Sequence, residues 1–173
     1  MTTNSTAPAL YVGTYAKYNA GSIKGAWLSL EDYPDRDSFL DACRELHADE
    51  SDPEIMFQDF EGFPRAWYDE SSAPPDILWE WLELGEDERE AFALYADNMG
   101  GEVAVDDFRE AYQGTADSEA EFAERTAEDC GEIPQDLPAW IVIDWQASWD
   151  GGLRFDYWCD RGAGGDLHFF RNI

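Results

Sequence analysis

Lysine is almost missing from this sequence. Lys17 and Lys24 are the only two in 173 residues, and Lys plus Arg total 11 against 39 Asp plus Glu, for a formal net charge of −28. So little basic character excludes the positive footprint that nucleic acid or an anionic membrane surface requires. Cysteine is also scarce. Cys43, Cys130 and Cys159 are odd in number, far apart and without a Cys-x-x-Cys pair, so neither a disulfide framework nor a zinc pattern follows. No run approaches the roughly 18 apolar residues of a membrane span. The opening "MTTNSTAPAL" has neither a basic n-region nor an apolar h-region, so no signal peptide is expected and the chain reads as cytoplasmic. Gly-x-x-x-x-Gly-Lys, Gly-x-Ser-x-Gly, His-Glu-x-x-His and a full EF-hand loop are all absent.

Acid is missing locally too: the first 30 residues contain no Asp or Glu, and both lysines lie there. A metal nuclease would group its acids with a lysine, an arrangement this distribution does not offer. Elsewhere carboxylates dominate. High net charge with low hydrophobicity signals disorder, because too little apolar surface offsets chain entropy. Here the hydrophobic fraction is 44% and the aromatic fraction 15%, with eight tryptophans. This chain builds a core. Its length suits one compact domain or two or three small coupled ones.

The elements follow from local patterning. "ALYVGTYAKYN" and "IKGAWLSL" are β-branched and aromatic runs joined through Asn19, Gly21 and Ser22, which predicts a hairpin. "DRDSFLDACRELHADE" places Phe39, Leu40, Cys43, Leu46 and His47 on one helical face. "EIMFQDFEG" predicts a third strand. After "ESSAPPD", Pro74 or Pro75 suits a helix start, and "DILWEWLEL" and "EDEREAFALYADNM" predict helices stopped at Gly85 and at Gly100-Gly101. "VAVDDFREAY" and "SEAEFAERTAED" predict two more, the second closed by Gly131. "IPQDLPAWIVIDWQASWDGG" reads as helix or strand, and "RFDYWCDRGAGGDLHFF" as a terminal hairpin. The expected class is α+β.

The acids are not scattered. Asp117, Glu121, Glu124 and Glu128 step by four, three and four, one face of a helix, while Phe122, Ala123, Ala127 and Cys130 take the spacing of a buried face. Asp76, Glu80, Glu83, Asp87 and Glu90 repeat the cadence unless Gly85 interrupts it, and Asp106, Asp107 and Glu110 repeat it briefly. Like charges so placed cost a helix about 0.2–0.5 kcal/mol per pair. Interspersed lysine would relieve that cost and is not used. Three readings compete: a solvated surface, adaptation to high salt, or a negative face wanted for a basic partner.

Density bears on the last. Duplex DNA carries one charge per roughly 1.7 Å of axis, and a helix with one outward carboxylate per turn one per about 5.4 Å. One stripe is then about a third as dense as DNA, and several side by side reach parity. The net charge matches roughly 48 Å of duplex at that spacing.

Other chemistry competes for the same residues. A carboxylate pair for glycoside hydrolysis is an alternative, with tryptophans lining a sugar cleft, although sequence does not fix the separation of two carboxylates. Cys43 and His47, four apart, are a half-site for a metal or a packed core pair, and the core pair is the stronger reading. Trp79, Trp81 and Leu82 read as core, and Phe108 and Tyr112 as anchors beneath an acidic helix.

Several stretches together carry a family resemblance. "LYVGTYAKYNAGSIKGAWLSL" resembles the opening of ArdA antirestriction proteins, with a Tyr-Asn-x-Gly turn and a Gly-Ala-Trp strand. "FQDFEGFP" is similar to the family's Asp-Tyr-Glu segment with Phe60 for tyrosine, and "LYADNMGGEVAVDDFREAYQG" falls at its antirestriction motif. "AWIVIDWQASW" resembles its Tyr-Ile-Asp-Tyr segment, keeping Asp144 but carrying Trp145. The resemblance implies an elongated chain of three small subdomains: an N-terminal antiparallel sheet plus helix (1–73), a central helical acidic bundle (74–113) and a C-terminal mixed α/β part (114–173). It implies a homodimer that mimics bent DNA and occupies the DNA-binding groove of type I restriction-modification enzymes, meaning the methyltransferase core with its specificity subunit. Catalysis, cofactor and metal are not expected, nor is binding to nucleic acid or membrane. A salt-adapted structural protein is the remaining alternative. On this reading the phosphate-mimicking carboxylates are Asp59, Glu61, Asp76, Glu80, Glu83, Asp87, Glu90, Asp97, Glu102, Asp106, Asp107, Glu110, Asp117, Glu121, Glu124, Glu128 and Asp129. A dimer contact is expected at Trp145, Phe155 and Tyr157.

Overall fold

The computed structural model describes residues 6–101 and 103–173. The chain divides into two compact units, Met1–Gly85 and Glu86–Ile173, so Gly85 falls inside the expected central segment 74–113. Both units combine helices with a small antiparallel sheet, and the fold is α+β.

In the first unit the strands are β1 (Ala9–Thr14), β2 (Ala26–Ser29) and β3 (Ile55–Glu61), in sheet order β2-β1-β3. The expected hairpin forms, with Tyr11 opposite Trp27. Its connection holds a short helix that the sequence did not announce, α1 (Tyr15–Asn19), whose N-cap Thr14 accepts from the Lys17 amide at 3.3 Å. Helix α2 (Arg36–Leu46) starts where Asp35 accepts from the Ser38 amide at 2.7 Å. It buries Phe39 and Cys43 against the sheet and α3 (Ile77–Leu82), where Phe39 stacks on Phe57 at 6.1 Å and meets Trp79 at 5.9 Å. Burial pushes the Cys43 thiol up to about 12, which keeps it protonated inside the core.

The second unit contains α4 (Glu86–Met99), α5 (Val105–Ala111), β4 (Tyr112–Ala116), α6 (Glu119–Cys130), α7 (Trp145–Gly151), β5 (Tyr157–Arg161) and β6 (Leu167–Arg171). The sheet order is β4-β6-β5. The central strand β6 is covered on both faces. Phe169 points to Phe122 and Trp149, whereas Phe170 points to Tyr95, Tyr112 and Trp158. Two-residue alternation therefore serves two aromatic clusters from one strand.

Further local expectations change: Leu46, read with the buried face of α2, is 37% exposed, and Asp117, read as part of the helical stripe, precedes the Ser118 N-cap of α6. Tyr112, read as the end of a helix, begins strand β4. Cys130, placed on the buried face of α6, is exposed, so that face rests on Phe122 and Ala123. The ambiguous run after Pro134 becomes an irregular segment followed by α7, which starts where Asp144 accepts from the Ala147 amide at 2.9 Å. Among the described residues no helix is long and apolar enough to cross a membrane.

Candidate acidic partner-binding surface

The acidic face is built most clearly on α6. Ser118 caps its N-terminus by accepting from the Glu121 amide at 3.1 Å, and the Glu121 carboxylate accepts from the Asp117 amide at 2.6 Å. This reciprocal cap, with Glu119 and Glu121 in the first turn, sets negative charge where the helix dipole favours it. At the other end Gly131 adopts φ 68°, and the Glu132 and Gly131 amides reach back to the Ala127 and Glu128 carbonyls at 2.9 and 3.0 Å. That closure requires a left-handed residue, hence glycine.

Beneath the charge, Phe122 and Ala123 are buried. The helix's one cation does not neutralise the stripe. Arg125 donates to the Thr115 carbonyl at 2.7 Å and the Gln113 carbonyl at 3.3 Å, with its guanidinium over the Phe122 ring at 5.5 Å. Glu124, Glu128 and Asp129 are exposed and form no ion pair among the described residues.

The second acidic helix repeats this design. On α5, Asp106, Asp107 and Glu110 are exposed while Phe108 and Ala111 are fully buried, and Phe108 packs on Phe92 at 5.2 Å and Tyr112 at 5.2 Å. Asp87 and Asp97 are exposed on α4. The anticipated stripe from Asp76 to Glu90 is not one face, because α3 ends at Leu82 and α4 begins at Glu86. Asp76, Glu80 and Glu83 are exposed in the first unit, together with Asp59 and Glu61 on β3. Glu102 lies outside the described residues.

Glu90 alone among the described members of the set turns inward. Its carboxylate accepts from the Gly164 amide at 2.8 Å and meets His168 Nε2 at 3.2 Å. Sequence periodicity did not distinguish it from its neighbours, since both partners lie more than seventy residues away.

The expected dimer-contact residues divide. Trp145 and Tyr157 pack against the Phe122, Trp149 and Phe169 cluster of their own chain, and Phe155 is 71% exposed. Near it in sequence, Trp140 is 80% and Val142 91% exposed on the irregular segment before α7.

A separate polar cluster sits in the first unit. His47, Asp49 and Glu50 bring ligand-type atoms within 4.8 Å of one another. Their common partner is the Lys17 ammonium, at 2.8 Å from His47 Nδ1, 2.8 Å from Asp49 and 3.2 Å from Glu50. His47 Nδ1 therefore accepts, and Nε2–H donates to the Val12 carbonyl at 3.1 Å. The ammonium takes the place a metal ion would need.

The family model of the antirestriction protein ArdA matches residues 10–157. The chain belongs to the ArdA antirestriction protein family. No curated protein matches it. The match runs from the second residue of β1 to the first residue of β5, so the acidic helices α4, α5 and α6 of this ArdA protein all lie within it.

Proposed function

We propose that this ArdA protein inhibits type I restriction-modification enzymes as a DNA mimic. Its carboxylates occupy phosphate positions in the DNA-binding groove formed by the methyltransferase core and its specificity subunit. Incoming mobile-element DNA is thereby protected in the cytoplasm. The observation that carries the reading is the face of α6, where Glu124, Glu128 and Asp129 stand exposed and unneutralised while the one arginine is engaged with backbone carbonyls. A solvated helix face with no partner to meet would be stabilised by lysine at these spacings. A surface directed at a phosphate-binding groove loses from it.

The mechanism is occupancy. No bond is made or broken, and no cofactor or metal takes part. Each carboxylate replaces one phosphate contact, and the folded helices hold the charges in fixed positions before binding, which limits the ordering cost of association. The same proposal includes a homodimer and the three-part organisation with breaks near 73 and 113.

Purified type I methyltransferase core bound to labelled DNA tests the reading. The protein is expected to displace the DNA at about 0.1 M salt, where screening reaches only about 10 Å. Retention of DNA at saturating protein refutes mimicry, and folding only at molar salt favours the salt-adaptation reading.

A further inference from the structure

Glu90 sits at the centre of a polar node that joins four parts of the second unit. Its carboxylate reaches from α4 to the turn between β5 and β6, accepting from the Gly164 amide at 2.8 Å, and meets His168 Nε2 on β6 at 3.2 Å. His168 is 3% exposed, and its Nδ1 lies 3.1 Å from the Tyr112 hydroxyl, where α5 passes into β4. Every contact is satisfied when Tyr112 O–H donates to Nδ1 and Nε2–H donates to Glu90. Gly162 completes the seat. A Cβ at that position would lie closer than 3.0 Å to the Glu90 carboxylate, although the Gly162 backbone is outside the left-handed region. The glycine is required by the carboxylate, not by the turn.

We propose that Glu90 is a positioning residue, not a phosphate stand-in: it pins α4 to the β5–β6 turn and so fixes the acidic faces of α4 and α5 relative to each other. This rests on the mimicry reading and adds to it. The aromatic ladder of Phe92, Tyr95, Phe108 and Tyr112 packs α4 on α5. Apolar packing of that kind is tolerant of small slides, whereas an acceptor held between two donors is directional. A charge pattern meant to overlay phosphates needs the directional restraint.

Three variants separate position from charge. Glu90→Gln removes the charge and keeps the node. Its carbonyl accepts from the Gly164 amide and its amide N–H donates to Nε2, with His168 in the other tautomer donating from Nδ1 to the Tyr112 oxygen. Glu90→Ala removes both. Gly162→Ala keeps the charge and displaces the carboxylate, and because the displaced atoms end a flexible side chain the fold has room to accept it. The readouts are DNA displacement from the methyltransferase core and hydrogen exchange at the Gly164 amide.

Glu90→Gln is expected to stay within about twofold of wild type in both, while Glu90→Ala and Gly162→Ala expose the Gly164 amide and weaken displacement about tenfold, the scale of one lost directional hydrogen bond. The proposal is overturned if Glu90→Gln is as weak as Glu90→Ala while Gly162→Ala is normal, or if Gly164 exchange is unchanged in Glu90→Ala. Should wild type fail to displace DNA, the mimicry reading falls, and the Gly164 exchange rates alone decide whether the pin exists.

Discussion

Phe122 of α6 and Phe169 of β6 stack with ring centroids 4.2 Å apart and planes 2° from parallel. This contact explains how a helix so one-sidedly charged stays folded. Repulsion along the stripe costs about 0.2–0.5 kcal/mol per pair, whereas burying one phenylalanine contributes about 1.5–3 kcal/mol. Trp149 and Tyr157 close on the same ring edge-on, at 5.9 and 5.3 Å. The core outweighs the stripe. Phe122→Ala is expected to cost about 3–5 kcal/mol in denaturant unfolding, while Glu124→Gln with Glu128→Gln leaves stability unchanged or slightly raised. A loss below about 1 kcal/mol for Phe122→Ala would place the helix's support elsewhere.

The Lys17 cluster predicts a stability plateau with two edges. Its hydrogen bond to Lys17 holds Asp49 below the usual carboxylate range, and the Thr14 hydroxyl, then Lys17, does the same for Glu50. Asp49 above all raises the Lys17 pKa. Depressed carboxylates contribute above their ordinary pKa, near about 4, and lose that contribution as pH falls through the lowered values. The raised lysine contributes fully below its ordinary value, about 10.4, and loses its contribution as pH climbs through the raised one. Lys17→Met should therefore lower Tm at pH 7 and much less at pH 2. An equal deficit at both pH values would mean that packing, not charge, makes the cluster.

Inhibition spread over many carboxylates predicts graded loss. Glu124→Gln alone should barely change displacement of DNA from the methyltransferase core. Changing Glu121, Glu124, Glu128 and Asp129 together should weaken it clearly, with circular dichroism checking that α6 survives loss of the Glu121 cap. One exposed carboxylate whose neutralisation abolishes inhibition in a folded protein contradicts distributed mimicry and revives a single catalytic acid.

Elements with their own local signal were readable in the sequence, and those made by distant partners were not. Helix α6 announced its C-terminal end through Gly131, and α2 announced its buried Phe39 and Cys43 by spacing. Strand β4 alternates over only five residues, too short a run to stand out after a helix. Its "YQGTA" contains Gly114 at φ 84° and a register shift, and it exists because β6 pairs with it from about fifty residues away. Helix α1 was hidden in a run of strand-forming residues, where capping by Thr14 decided the outcome. Among the acids, exposure on α5 and α6 followed from the spacing of Phe108 and Phe122 beneath them. The inward turn of Glu90 depended on Gly162, Gly164 and His168, and helical periodicity carries no information about those.

The central claim is tested most directly by two affinity-versus-salt plots against one methyltransferase core, one for DNA and one for this protein. DNA condenses counterions along a dense line of charge, and their release gives a slope of about −0.9 per neutralised phosphate. On the protein the carboxylates sit about one per turn on separate elements, near one per 5.4 Å along a helix, so fewer counterions are held and released. Binding of the protein should weaken with salt, less steeply than binding of DNA, so that it competes best at or above physiological salt. A slope equal to or steeper than that of DNA contradicts the charge-spacing argument, and a flat slope contradicts mimicry itself.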